Sequence, residues 1–376
     1  MVCTKKNGVT KKYKLTTKAM VPDWGNWKDN PIDVPNTNSI TWICGYLSGL
    51  IELDNYIIQF GYKNVSNGSN YDNYIYYRKS YDGGLTWENP IQLYQFTSQS
   101  YSYANMQVAY GNNKFVIIIC STSVSVGDTK IISTSDLQNV SVVSKDYRDY
   151  KLIFGGGIFA IFYGNVTRSY IYKSTDGVTW TQDYYSSTSS FYTTSTQGVV
   201  YVNGYFYSLW TSYNSSSSSH TNYVYIYKSN SSNLKGDLVY SYSKSGQTST
   251  SISAQAIYYC EYSNKFFVVT NTSGVGLLTT NNTSTLQQVD ANYRFYSLWG
   301  NDKYLMLGNM YTQAYKYSND GGNTWYDGEN FHQAFSYLPD INKYYSENKL
   351  YETETLPQTK KYTLAIKKNG TTTRYT

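Results

Sequence analysis

Side chains able to act as acids, bases or metal ligands are present in this chain, but their spacing selects no site. Two carboxylates at a suitable separation can hydrolyse a glycosidic bond, one as the acid and the other as base or nucleophile. The acidic candidates are Asp146, Asp149, Asp183 and Glu261. No spacing singles out a pair among them, and the two histidines, His220 and His332, stand in polar, loop-like sequence without a second ligand nearby. The sequence therefore predicts no catalytic residue, no metal site and no cofactor.

The four cysteines are predicted to be free thiols. They are Cys3, Cys44, Cys120 and Cys260, far apart and without a Cys-x-x-Cys pair. The segment from Met1 to Thr16 is polar and basic, so it lacks the apolar core of a secretory signal. No window approaches the roughly 20 apolar residues of a membrane span. We therefore predict no signal peptide, no membrane span and cysteines that stay reduced.

A turn motif with the pattern S-x-D-x-G-x-T-W occurs three times and is the most informative feature of the sequence. The first copy contains Ser80, Asp82, Gly84, Thr86 and Trp87; the second, one residue shorter, contains Ser174, Asp176, Gly177, Thr179 and Trp180; the third contains Ser318, Asp320, Gly322, Thr324 and Trp325. Short polar side chains bond to the backbone of turns, and glycine adopts conformations closed to other residues. The motif therefore predicts a tight hairpin whose tryptophan starts the next strand and packs between sheets.

These motifs resemble the Asp box, or BNR repeat, of sialidases, sortilin-like receptors and many other β-propellers. In that family the box joins the third and fourth strands of a blade, at the periphery and away from the central ligand face. The resemblance implies that the motif residues stabilise the fold and carry no chemistry.

The same resemblance raises a sialidase hypothesis, which the arginines disfavour. Sialidases hold the substrate carboxylate with three arginines, use a tyrosine nucleophile paired with a glutamate, and begin with an Arg-Ile-Pro-type motif. This chain has no Arg-Ile-Pro, and its five arginines are Arg78, Arg148, Arg168, Arg294 and Arg374. Arg78 lies two residues before a turn-motif serine and Arg374 lies in the tail hairpin, which leaves three for the central face, none in a recognisable context. Lysine is a poor substitute for the planar guanidinium in a carboxylate clamp. We therefore expect a sialidase-like fold without the sialidase catalytic residues, in a protein that is not an enzyme.

A repeating unit surrounds the turn motifs. An Asn- or Gly-containing turn followed by an aromatic residue and an apolar run occurs six times, and imperfect turn motifs lie at 133–140, 229–237 and 279–286. The spacing from Asp82 to Asp320 gives about 48 residues per unit, which matches a four-stranded blade. In the third unit, four short strands are predicted at 151–154, 158–163, 169–174 and 179–184. The sequence thus predicts an all-β fold, a β-propeller of about six four-stranded blades, with seven as the alternative count.

Composition supports this fold and disfavours some partners. Tyrosine accounts for 46 residues and charged residues for only 15%, which is typical of strands and turns. Tyrosine clusters are suited either to stacking on sugars or to filling the space between blades. The net charge of +6 arises largely from lysines near the two ends: Lys5, Lys6, Lys11, Lys12, Lys360, Lys361, Lys367 and Lys368. Since this is not a basic stripe across the folded body, nucleic-acid binding is not expected.

The two ends of the chain carry nearly the same sequence. Each contains an Asn-Gly pair, Asn7-Gly8 and Asn369-Gly370, flanked by strand-forming residues, the strongest short signal for a hairpin. The predicted organisation is an N-terminal hairpin at 1–18, a connecting arm at 19–38, the Asp-box propeller at 39–335, an irregular segment or extra blade at 336–359 and a C-terminal hairpin at 360–376. The hairpins could pair with each other, cap the ring, or dock onto another protein by adding strands to a sheet edge.

The function expected from these features is a non-enzymatic structural or binding propeller in a larger assembly. A bacteriophage virion component, such as a tail, fibre or head-decoration protein, is the leading hypothesis, with localisation in the virion after synthesis in the host cytoplasm. Its expected partners are other structural proteins, reached through the hairpins, and carbohydrate as a further ligand class. The alternatives are a glycan-active hydrolase of the sialidase-like type and a free-standing lectin-like receptor.

Overall fold

The structure, a computed structural model, is built almost entirely from β-strands. It describes residues 2–6, 9–13, 22–27, 32–34, 39–43, 50–123, 128–146, 150–164, 169–186, 198–216, 219–247, 252, 254–272, 274–280, 283–290, 294–295, 297–301, 303–308, 315–328, 336–338, 343–346, 349–355, 364–368 and 371–375. These residues form 35 strands and no α-helix. No helix capable of crossing a membrane is present among them.

Seven antiparallel sheets follow one another along the chain and are numbered here as blades. The strands before blade 1 are β1 (Val2–Lys6), β2 (Val9–Tyr13), β3 (Pro22–Trp27) and β4 (Ile32–Asp33). Blade 1 has five strands: β5 (Thr41–Trp42), β6 (Leu50–Glu52), β7 (Ile57–Asn67), β8 (Asn70–Ser80) and β9 (Ile91–Gln99). Blade 2 contains β10 (Tyr103–Gly111), β11 (Lys114–Ser121), β12 (Asp128–Thr134) and β13 (Ser141–Asp146). Blade 3 contains β14 (Lys151–Gly155), β15 (Ile158–Gly164), β16 (Ser169–Ser174) and β17 (Thr181–Ser186).

The later blades repeat this order. Blade 4 contains β18 (Val199–Val202), β19 (Tyr205–Ser216), β20 (Ser219–Asn230) and β21 (Asn233–Gln247). Blade 5 contains β22 (Ala254–Cys260), β23 (Lys265–Thr270), β24 (Leu277–Thr280) and β25 (Leu286–Asp290). Blade 6 contains β26 (Ser297–Asn301), β27 (Tyr304–Gly308), β28 (Tyr315–Ser318) and β29 (Tyr326–Gly328). Blade 7 contains β30 (Ser336–Leu338), β31 (Lys343–Ser346), β32 (Lys349–Tyr351) and, at its edge, β4. The remaining strands are β33 (Thr353–Thr355), β34 (Leu364–Lys368) and β35 (Thr371–Tyr375).

The blades are arranged around a centre, with the first strands of blades 2 to 6 innermost. The first strands of blades 2 to 6 contact one another in succession, β10 with β14, β14 with β18, β18 with β22 and β22 with β26. The second strand of blades 2, 3 and 5 is covered on both sides, which explains its continuous apolar sequence. In β11, for example, Phe115 and Ile117 pack toward blade 1, whereas Val116 and Ile118 pack toward blade 3. Alternation along the strand thus fills two interfaces at once.

Seven hydrophobic clusters join the blades into a closed ring. Representative pairs are Phe60 and Phe115 between blades 1 and 2, Val116 and Phe159 between 2 and 3, Phe162 and Phe206 between 3 and 4, Leu209 and Phe266 between 4 and 5, Phe267 and Leu305 between 5 and 6, Met306 and Tyr344 between 6 and 7, and Leu350 and Ile57 between 7 and 1. Burying one large apolar side chain stabilises the fold by about 1.5–3 kcal/mol. The main stabilisation therefore lies between the blades.

Ring closure uses a strand from the other end of the chain. Strand β4 pairs antiparallel with β32, with Ile32 opposite Leu350. Next to it, Val34 is buried at 3% exposure in the cluster that joins blades 7 and 1. Strand β3 pairs with β33, which brings Pro22 opposite Thr355. The region predicted as a connecting arm therefore contributes strands β3 and β4.

The predicted fold class is confirmed: the chain is an all-β propeller. Six sheets have four strands and one has five. The number of blades is therefore seven, which was the alternative to the predicted number of about six. The additional sheet combines β30, β31 and β32, from the predicted irregular segment or extra blade, with β4 from the predicted arm.

Candidate functional site

The three turn motifs form the same hydrogen-bonded turn, referred to below as the aspartate turns (residues 80–87, 174–180 and 318–325). Each lies between the last two strands of its blade, in blades 1, 3 and 6. In the first, the Ser80 hydroxyl donates to Asp82 Oδ1 (2.8 Å) and accepts from the Gly84 amide (2.7 Å). The Thr86 amide donates to Asp82 Oδ1 (2.9 Å). The carboxylate and hydroxyl thus satisfy backbone donors that strand pairing leaves free.

The other two aspartate turns repeat these contacts. The Ser174 hydroxyl donates to Asp176 Oδ1 at 2.8 Å, and the Ser318 hydroxyl donates to Asp320 Oδ1 at 2.8 Å. The glycine amides, of Gly177 and Gly322, each donate to the serine oxygen at 2.8 Å. All of these polar groups are occupied within the turns, so their geometry is that of a structural element.

Glycine and tryptophan pack each turn against its neighbours. A Cβ atom on Gly177 would lie 2.5 Å from Val116 Cγ2 in blade 2, so the turn of blade 3 fits closely against the preceding blade. The Trp87 indole donates to the Gly84 carbonyl (3.0 Å), and the Trp180 indole donates to the Gly177 carbonyl (3.1 Å). Trp325 differs, because its buried Nε1 has no hydrogen-bond partner within the described residues.

An Asp176→Asn variant is expected to unfold about 2 °C lower at neutral pH, with the difference shrinking in acid. Hydrogen bonds from the Thr179 and then the Val178 amides hold the pKa of Asp176 below its ordinary value of 3.8. A lowered folded-state pKa gives stabilisation that is present above the unfolded-state pKa and is lost as the pH falls below about 3.8. Thermal unfolding of both proteins between pH 7 and pH 2 measures this convergence.

The matched control for that prediction is Asp54→Asn. Asp54 is exposed and makes no hydrogen bond or ion pair within the described residues, so its variant should follow the parent at every pH. Parallel curves for the Asp176→Asn variant and the parent, with no convergence in acid, would contradict the assigned role of the carboxylate.

Arg78 is buried within blade 1, in contact with Trp42, Trp87 and Gln59. It is 2% exposed, and its guanidinium carbon lies 4.2 Å from the ring centre of Trp42 and 4.7 Å from that of Trp87. Its Nε and Nη2 atoms both donate to Gln59 Oε1, at 3.0 and 2.8 Å. Cation–π contacts with two tryptophan rings explain why an arginine is stable here. Of the other arginines, Arg294 is exposed, the side chain of Arg374 in β35 is not described, and Arg148 and Arg168 lie outside the described residues.

The acidic candidates belong to different blades. Asp183 in β17 forms an ion pair with Lys173 and accepts a hydrogen bond from the Leu234 amide (2.7 Å), so it links blades 3 and 4. Asp146 ends β13 of blade 2, and Glu261 follows β22 of blade 5. Asp149 and His332 lie outside the described residues. His220 lies in β20, where its backbone is described and its side chain is not. Within the described residues, no three His, Cys, Asp or Glu side chains come together.

The two outer hairpins, β1–β2 and β34–β35, have matching registers. Lys6 pairs with Val9 in the first, and Lys368 pairs with Thr371 in the second. Within the described residues, each hairpin is a two-stranded sheet of its own. The turn residues Asn7, Gly8, Asn369 and Gly370 lie outside the described residues.

Comparisons with known proteins give distant structural neighbours. No family profile matches the chain, and no curated protein matches it. The CNH domain of AfRom2 has a TM-score of 0.45 at 9% identity, covering 88% of this chain and 100% of that one. The GH93 α-L-arabinofuranosidase of Fusarium graminearum has a TM-score of 0.41 at 13% identity, covering 74% and 90%. A Trypanosoma rangeli sialidase has a TM-score of 0.38 at 10% identity, covering 82% and 58%.

Two further turns use the same chemistry with altered residues. In blade 2, Asp136 Oδ1 accepts from the amides of Gln138 (2.9 Å) and Asn139 (2.8 Å), and Leu137 takes the glycine position with φ of 60°. In blade 4, Asn230 Oδ1 replaces the carboxylate and accepts from the Ser232 amide (3.0 Å). Both fall within the segments predicted as imperfect motifs. The signal was the spacing of the repeat, since the motif letters themselves are largely lost.

Two cysteines are buried in the blades. Cys120 in β11 and Cys260 in β22 are 1% and 0% exposed, and neither forms a disulfide within the described residues. Each lies within an apolar cluster or strand, where a thiol behaves as a small hydrophobic side chain. Cys44 lies outside the described residues, and the side chain of Cys3 in β1 is not described.

Proposed function

We propose that this protein is a non-enzymatic propeller that attaches to a larger assembly through its two outer hairpins, as a tail, fibre or head-decoration component of a bacteriophage virion. The observation that carries the proposal is the pair of matched hairpins, which stand outside the seven blades. A two-stranded hairpin has unpaired backbone groups along its edges, and these can extend a sheet of another protein.

Both hairpins are tethered to one point of the ring. Because β3 pairs with β33, Pro22 and Thr355 lie opposite each other, and the chain leads from them to the two hairpins. Residues 14–21 separate β2 from β3, and residues 356–363 separate β33 from β34, eight residues in each case. Eight residues span at most about 29 Å. Two similar hairpins on equal tethers suit a partner that repeats the same sheet edge, as neighbouring subunits of a symmetric assembly do.

The proposal of a non-enzymatic role is supported by the contacts of two ionisable side chains, an arginine and a carboxylate. Arg78 is enclosed by Trp42 and Trp87, and Asp183 is engaged by Lys173 and the Leu234 amide. A group held in this way serves the packing of the blades and is not free to bind a substrate. These contacts favour a binding role over a sialidase-like hydrolase.

The test is co-sedimentation with particles from the source of the protein, using variants that lack 1–18, 360–376 or both. Two linked binding elements raise apparent affinity by about 10²–10⁴ over one, so each single truncation should weaken attachment by about that factor. The double truncation should abolish it while leaving a folded monomer, as measured by light scattering.

The outcomes separate the parts of this proposal. Full attachment of the double truncation would refute attachment through the hairpins. Complete loss in one single truncation, with no effect of the other, would show that one hairpin docks and would refute the bivalent arrangement. Release of a reducing sugar from host glycans by the full-length chain would refute the non-enzymatic role.

A further inference from the structure

A polar cavity of about 790 Å³ lies between blades 1 and 2, on the side of the ring that carries the aspartate turns. The β6–β7 turn, the first aspartate turn and the β10–β11 turn line it. Its wall includes Glu52, Asp54, Asn55, Tyr56, Tyr81, Tyr110 and Asn113. Neither the outer hairpins nor the candidate catalytic residues belong to this wall.

Three tyrosines give the cavity an aromatic surface. Tyr81 is 60% exposed, and its ring centre lies 5.7 Å from that of Tyr56. Tyr110 is anchored from behind by Phe115, with ring centres 4.7 Å apart. Burial, and next the neighbouring Tyr110 and Tyr81, raises the pKa of Tyr56. Its hydroxyl therefore stays protonated at neutral pH and can both donate and accept a hydrogen bond.

The polar side chains of the wall are available to a ligand. Glu52, Asp54, Asn55 and Asn113 are exposed, and none makes a side-chain hydrogen bond or ion pair within the described residues. The neighbouring Asn112, by contrast, is used internally, donating to the Gly157 and Thr175 carbonyls at 2.9 Å each. The cavity thus combines free acceptors and donors with an aromatic platform.

The turn itself does not require a large aromatic side chain at position 81. The equivalent position is Thr175 in the second aspartate turn and Asn319 in the third, both smaller and more polar. A threonine or asparagine at position 81 would also allow this turn, because the side chains of Ser80 and Asp82 make its hydrogen bonds. An exposed ring at this position gains little for folding, but it offers a flat apolar surface to a bound molecule.

We propose that this cavity binds a neutral saccharide of two or three units, with Tyr81 stacking on a sugar ring and the carboxylates and amides of the wall accepting and donating hydrogen bonds to its hydroxyls. Sugars present an apolar ring face and a rim of hydroxyls, which match these two kinds of surface. Glu52 and Asp54 make the rim acidic, so anionic sugars are disfavoured. This site goes beyond the proposed attachment and does not depend on the outer hairpins.

The experiment is a titration of the full-length protein with maltotriose, cellotriose and chitotriose, and with 3′-sialyllactose as the anionic comparison. At least one neutral trisaccharide should bind with a Kd of about 1 mM or tighter, and 3′-sialyllactose at least about tenfold more weakly. Tyr81→Ala should weaken the neutral ligand about tenfold or more. Tyr262→Ala is the matched control, because Tyr262 is 58% exposed but does not line this cavity, and it should leave binding within about twofold.

Three binding results would overturn the assignment. The first is that no neutral trisaccharide binds with a Kd of about 1 mM or tighter. The second is equal or tighter binding of 3′-sialyllactose, which would contradict the acidic rim. The third is equal loss in the Tyr81→Ala and Tyr262→Ala variants. Unchanged saccharide binding in the double hairpin truncation would show that the cavity acts independently of attachment, and loss there would contradict the location of the site.

Discussion

A Gly322→Ala variant should lose about 2–4 kcal/mol of unfolding free energy. Gly322 adopts a φ of +82°, where a Cβ atom costs about 1 kcal/mol by itself. The added atom would also overlap Phe267 Cζ and lie 3.1 Å from Leu305 Cδ1, in the interface between blades 5 and 6. Forcing an extra carbon into a packed interior costs about 1–3 kcal/mol more. Urea denaturation of the variant and the parent measures the loss.

Gly204→Ala is the control that separates the cost of backbone strain from the cost of steric overlap. Gly204 has a similar φ of +85°, but a Cβ atom added there would have no neighbour within 4 Å. Gly204→Ala should therefore cost only about 1 kcal/mol. Equal losses at the two positions would mean that the aspartate turn of blade 6 is not packed against Phe267 as described.

The sequence motifs predict the aspartate turns well, because the hydrogen bonds that form each turn join residues close together in the chain. Ser174, Asp176 and Gly177 lie close together in the chain and bond mainly to one another, so the sequence alone contains nearly the whole interaction. The same holds for blade 3, where the predicted strands 158–163 and 169–174 correspond to Ile158–Gly164 and Ser169–Ser174. Alternating or continuous apolar runs between turn residues determine such strands.

The seventh blade was harder to predict because its partners are distant in sequence. Its strands are only two to four residues long, too short for a periodic pattern, and β4 comes from the opposite end of the chain. Nothing near Ile32 in the sequence indicates a partner at Leu350. Such pairing depends on the closure of the whole ring, which no local window contains.

In the candidate sites, too, the features determined by local sequence could be predicted and those determined by distant contacts could not. The hairpin signals at Asn7-Gly8 and Asn369-Gly370 are local and were found from sequence. The cavity near Tyr81 was not predicted, because its wall comes from three turns in two blades. Arg78, which its position two residues before a turn-motif serine already sets apart from a ligand-binding role, is enclosed by Trp42 and Trp87. These two tertiary contacts could not be predicted from the sequence.

Removing residues 1–34 is expected to cost about 4–6 kcal/mol of unfolding free energy, the largest loss expected for this protein. The truncation deletes β3 and β4, leaving the edges of β32 and β33 unpaired. It also removes Val34, which covers Ile57 and Leu350 between blades 7 and 1. An opened ring then exposes both faces of that interface to water. Thermal and urea unfolding of the truncated chain measure the effect.

A variant lacking only 1–18 is the control that tests whether the lost unfolding free energy comes from ring closure. It keeps β3, β4 and Val34 and removes only the first hairpin, so its stability should stay within about 0.5 kcal/mol of the parent. If both truncations were equally stable, strands β3 and β4 would contribute little to the ring, and blade 7 would have to be held by its contacts with blade 6 alone. A loss confined to the longer truncation would instead show that these two short strands and one buried valine join the two ends of the propeller, and that the first hairpin is not needed for closure.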